Sequence, residues 1–108
     1  MQLVQLGEAE GYNPDRFVAR PLLEGDHANV RLIRLAPGQA LPPHRHGSSD
    51  LFLYAVEGTG ELTTDEGGLP FVAGALAHYR GDEELRVRNA GDTGLTLLAF
   101  LAPKFATR

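Results

Sequence analysis

No segment of this chain runs longer than 11 residues without a glycine or a proline, and that spacing constrains its fold more than any other feature. The longest free stretches are residues 26–36 and 48–57, and the thirteen Gly and seven Pro are spread through the rest. Each Gly inside a helix costs about 1 kcal/mol relative to Ala, and each Pro about 3 kcal/mol. Long helices are therefore excluded, and short strands joined by tight turns are favoured.

Apolar runs fit that reading. They occupy residues 17–19, 29–36, 51–56, 60–64, 69–72, 76–79, 85–89 and 95–101. Between them lie Gly25-Asp26, Pro37-Gly38, Pro42-Pro43, Gly58-Thr59-Gly60, Asp65-Glu66-Gly67-Gly68, Gly74, Gly81-Asp82 and Gly91-Asp92, all turn-forming combinations. Eight short strands at this spacing predict an all-β sandwich or small barrel. With 108 residues the chain is read as a single domain over 1–108. An N-terminal arm over 1–16 and a C-terminal tail over 103–108 flank the barrel. The run Leu51-Phe52-Leu53-Tyr54-Ala55-Val56 is apolar at both parities, so one face is expected to fill the barrel and the other to meet a second sheet or a second copy, giving a homodimer. Gly58-Thr59-Gly60 and Asp65-Glu66-Gly67-Gly68 are both expected as hairpin turns.

Charge and cysteine content remove several function classes. The net charge is −4 and no Lys/Arg run occurs, so nucleic acid is not an expected partner. Cysteine is absent, which excludes disulfides, thiolate metal sites and thiol catalysis. The longest apolar runs are six residues, too short for a signal peptide core or a membrane span, and a cytoplasmic protein is expected.

The chemistry concentrates in Pro42-Pro43-His44-Arg45-His46-Gly47-Ser48-Ser49-Asp50. Alternate side chains of an extended segment share a side, so His44 and His46 converge while Arg45 points away. The Pro pair holds the backbone extended and lowers the entropy lost in ordering the two rings. Asp50 stands at the entry to a buried strand, where a carboxylate is costly unless it is paired or bound to a cation. Two imidazoles and a carboxylate form a donor set for a divalent metal ion such as Zn, Fe, Mn or Ni. His44, His46 and Asp50 are accordingly the candidate metal ligands, with a small molecule as the expected partner. No catalytic residue is assigned.

These residues resemble the first cupin motif: Gly38, five residues, His44-Arg45-His46, three residues, Asp50, then Glu57-Gly58. Residues 74–81 followed by Arg86-Val87-Arg88-Asn89 are similar to the second cupin motif, in which a His stands four residues before the Asn. The resemblance spans about residues 30–102. It implies a double-stranded β-helix, the cupin jelly-roll barrel, usually dimeric, with a ligand site inside and a three-His, one-Glu metal set. It also implies metal-dependent chemistry, such as that of a dioxygenase or an isomerase. The pattern departs from the family in two places. Counting back from Asn89 puts Leu85 where the third His belongs, and counting back from Gly58 puts Leu51 where the Glu belongs. His78 supplies a third imidazole if it faces inward, and Tyr54 or Glu57 an acid or base on the same condition. The alternative is a metal-free cupin acting as a small-ligand sensor or interaction module. His27 reads as a loop residue, Arg86 and Arg88 as an outer strand face, and Ser48 and Ser49 lack a nucleophile elbow.

Overall fold

A computed structural model describes residues 1–104 of the chain. After one 3-10 turn at Leu6–Glu8, eight strands follow: β1 (Val18–Glu24), β2 (Asn29–Leu35), β3 (Asp50–Glu57), β4 (Thr59–Thr64), β5 (Gly67–Val72), β6 (Leu76–Tyr79), β7 (Val87–Asn89) and β8 (Leu95–Ala102). They form a five-stranded sheet, β1-β2-β8-β3-β6, and a three-stranded sheet, β5-β4-β7, with antiparallel pairing throughout. This is the all-β architecture expected from the Gly/Pro spacing, in the jelly-roll form that the resemblance implies. The tail expected over 103–108 lies, from residue 105 onward, outside the described residues.

Two details differ from expectation. β1 begins at Val18 and continues through Pro21, which an edge strand tolerates because one side of its backbone needs no ladder donor; the register with β2 shifts between Pro21 and Leu23. Gly58-Thr59-Gly60 is a corner and not a hairpin, since β3 and β4 belong to different sheets. Gly58 turns that corner at φ +93°, packed so closely on the Gly94 backbone that a Cβ has no room. The 65–68 segment is the expected hairpin tip, with Thr64 paired to Gly67.

The register of the large sheet arranges its inner face in rungs. Asn29, Leu101, Leu51 and Tyr79 form one rung, Arg31, Ala99, Leu53 and Ala77 the next, and Ile33, Leu97 and Ala55 a third. Leu35 and Leu95 close the far end. Leu41, Leu62, Phe71, Leu85 and Val87 complete the apolar core with them. The N-terminal arm crosses the outer face of β2 and β8 at Arg34 and Thr96. There Arg34 is buried, donating through Nε to the Glu10 carbonyl (2.8 Å), through Nη2 to the Leu6 carbonyl (2.9 Å) and through Nη1 to Thr96 Oγ1 (2.9 Å). Tyr12 caps this cluster by donating to Glu57 Oε1 at 2.8 Å. A buried guanidinium is tolerated because its donors are matched this fully.

Candidate functional site

The segment carrying both histidines adds to the small sheet beyond β7. Ala40 pairs with Arg88 and His44 with Leu85, so four residues on one side advance against three on the other. The slip falls at Pro42-Pro43, where neither residue has an N–H to offer a ladder. His44 and Leu85 exchange both backbone bonds, at 3.3 and 2.9 Å. Two residues on, the His46 N–H donates to the Gly81 carbonyl at 2.9 Å. Gly47 then turns the chain at φ +64°. Gly81 has to be glycine here, because the carbonyls of Gly47 and Ser49 occupy the space a Cβ would take.

The two rings meet, with centroids 4.5 Å apart and planes inclined by 63°. His44 Nδ1 lies 2.9 Å from the Pro42 carbonyl oxygen. A carbonyl only accepts, so Nδ1 carries the proton in this bond and the lone pair of a neutral ring stands on Nε2. His46 is only 4% exposed. Burial, reinforced by the neighbouring His44, lowers its pKa to about 4, so this ring is uncharged at neutral pH. Arg45 turns the other way, donating to the Asp82 carbonyl at 3.0 Å.

Asp50 lies elsewhere. Leu51, Leu53 and Ala55 occupy the inner parity of β3, so Asp50, Phe52 and Tyr54 face outward. On that outer face Asp50 Oδ1 lies 2.8 Å from His78 Nε2, and the His78 ring stacks on Phe52 at 4.7 Å. His78 is therefore engaged outside the barrel and is not a third inward imidazole. Tyr54 and Glu57 likewise face away from the interior, with Glu57 bound to Tyr12 and Thr96. Among the described residues no three side chains of His, Cys, Asp or Glu gather into a metal-binding group. The positions where the family's missing donors would stand are apolar and closed: Leu85 is 1% exposed and Leu51 fully buried. A four-ligand cage does not fit these residues; a pair of imidazole donors does.

Two inward polar residues of the end rung, Asn29 and Tyr79, escaped the sequence reading. Asn29 is buried at the start of β2. Tyr79 ends β6, and burial, together with the Glu83 carboxylate, pushes its phenol pKa up. Their signal was parity alone, since each shares a face with core residues of its own strand.

The family model for the cupin domain matches residues 31–101. Among solved structures, the TT1209 protein of Thermus thermophilus is similar over 96% of this chain and 99% of its own, at 29% identity and a TM-score of 0.86. An RmlC-like cupin of Desulfovibrio desulfuricans is similar over 97% and 99%, at 27% identity and a TM-score of 0.85. A predicted oxalate decarboxylase of Thermotoga maritima shares 22% identity over 81% of this chain and 80% of its own, with a TM-score of 0.72, a likeness of fold alone. No curated protein matches.

Proposed function

The chain belongs to the cupin family, and from that premise we propose that its barrel mouth binds a small oxygen-bearing molecule together with a divalent metal held by His44 and His46. The observation that carries this reading is the ring pair, 4.5 Å between centroids, with the lone pair of His44 set on Nε2 by the Pro42 carbonyl and His46 uncharged. Neutral imidazoles are the form that binds metal. Two protein donors leave most of the coordination sphere to water and to the bound molecule, so affinity for metal alone is weaker than that of a full cage. When bound there, the metal supplies Lewis-acid polarisation of an oxygen of that molecule. The protein's own part is to fix the two rings: the Pro pair stiffens the approach and the Gly81 carbonyl anchors His46.

The test is isothermal titration of untagged protein with Zn²⁺, Mn²⁺ and Ni²⁺, and with Fe²⁺ under anaerobic conditions. One saturable site, lost in both His44→Ala and His46→Ala, is expected. Binding that is absent at millimolar metal, or unchanged in both variants, overturns the proposal. A second reading, a metal-free ligand-binding barrel, draws its support from Leu85 and Leu51 standing where the family's other donors belong.

A further inference from the structure

β2 carries one residue that neither the motifs nor the metal reading uses. Arg31 has the parity of Ile33 and Leu35, both core residues, so it projects from the inner face of the barrel. Its rung is otherwise lined by Ala99, Leu53 and Ala77, two of them small, and the closed apolar floor of Ile33, Leu97 and Ala55 begins one rung deeper. The opposite end is the one the histidine loop overhangs. His46 is bonded to Gly81, two residues beyond Tyr79, and Tyr79 stands in the Asn29 rung next to that of Arg31.

Arg31 is half-buried, and among the described residues it makes no side-chain hydrogen bond or ion pair, whereas Arg20, Arg34, Arg45, Arg80, Arg86 and Arg88 each have an acidic partner. Partial desolvation of a guanidinium without an internal acceptor is unfavourable, and an anion from outside relieves it. The planar fork matches a carboxylate with two parallel N–H···O bonds. A chain of net charge −4 that leaves this cation unmatched inside its barrel selects for anions where the rest of its surface does not.

We propose that Arg31 makes the barrel mouth a receptor for a small carboxylate, with the guanidinium clasping the carboxylate group and the apolar floor below it receiving a short carbon skeleton. This rests on the reading of the mouth as the binding site and names the ligand class, without requiring the metal.

The test uses the full chain and follows thermal stability and titration heats with acetate, malonate, succinate and the neutral isostere malonamide, each in EDTA and in excess Zn²⁺. At least one carboxylate is expected to bind saturably and raise Tm, with malonamide inert. Arg31→Gln is expected to weaken that binding about ten-fold or more, Arg31→Lys to retain part of it, and Arg16→Gln, at an exposed position, to change nothing. Circular dichroism checks that each variant is folded. Equal responses to malonate and malonamide, no response to any carboxylate, or undiminished binding in Arg31→Gln overturns the inference. If metal binds through the histidines but no carboxylate depends on Arg31, this inference alone falls. If carboxylate binding in EDTA depends on Arg31 while no metal binds, the inference stands and the metal reading falls.

Discussion

Acidification should destabilise the fold through one ring, by an amount the structure specifies. His46 is 4% exposed and its pKa is lowered to about 4 from an ordinary 6.5, first by burial and then by His44. Between those two values the unfolded chain takes up a proton at this position that the native state refuses. The stability contribution is whole above pH 6.5, declines as pH falls, and is fully lost by about pH 4. At 1.36 kcal/mol per pKa unit the interval amounts to roughly 3 kcal/mol, a large share of a small domain's stability. Other groups titrate over the same range, so the informative quantity is the difference between wild type and His46→Leu, a variant with no proton to bind there. Urea unfolding at intervals from about pH 7.5 to about pH 4 supplies it, provided the m-values agree. The wild type should lose about 3 kcal/mol more than the variant across the window. In His44→Ala the loss should be complete at a higher pH and smaller in total, because removing the neighbouring ring lets the native-state pKa of His46 rise towards its ordinary value. Parallel curves for wild type and His46→Leu, agreeing within a few tenths of a kcal/mol, would refute the claim that this ring is held neutral by its surroundings.

Two further perturbations probe the two ends of the barrel, Leu85 at the histidine end and Asn89 at the far end. Leu85→His places a third imidazole across the backbone bridge from His44; zinc affinity measured by calorimetry should tighten about ten-fold or more, at a stability cost of roughly 2–4 kcal/mol for a polar ring in an apolar slot. Unchanged zinc affinity in the folded variant would mean that Leu85 does not stand at a ligand position. Asn89→Ala removes the Nδ2 donations to the Leu35 and Thr93 carbonyls and the Oδ1 acceptor for the Gly91 N–H, in a side chain that is almost wholly buried. Orphaning those groups should cost roughly 2–4 kcal/mol, seen as a lower urea midpoint at constant m-value. A cost below about 0.5 kcal/mol would show that water replaces the bonds.

What the sequence makes legible here is local, and what it conceals is the choice between two faces. Turn residues delimit the eight apolar runs because a Gly at positive φ or a paired Pro acts within a few residues, and each run contains or overlaps one of the eight strands. The approach of His44 to His46 follows from a period of two and is equally local. Asp50 shows where such reasoning stops. β3 is apolar at both parities, Leu51, Leu53 and Ala55 on one and Phe52, Tyr54 and Val56 on the other, so alternation alone names two possible interiors. The aliphatic side went inside, where the leucines of β8 pack against it, and the aromatic side was left outside, with Phe52 48% exposed and stacked on His78. The carboxylate then follows the aromatics by parity, however close in sequence it stands to the histidines. The same degeneracy hides the corner at Gly58, whose turn chemistry resembles that of a hairpin; only the pairing of β4 with β5 and β7 assigns it to the second sheet. The count back from Asn89 names Leu85, but its place opposite His44 depends on a bridge that joins segments 41 residues apart in sequence. Arg31 is hidden twice: β2 is apolar at both parities, Val30 and Leu32 on one and Ile33 and Leu35 on the other, so alternation does not say which of its arginines points inward, and its lack of a partner among the described residues is a property of the packed barrel. Sites assembled by register are thus found by asking which inward polar residue has no partner among the described residues, and here that question leads to Arg31.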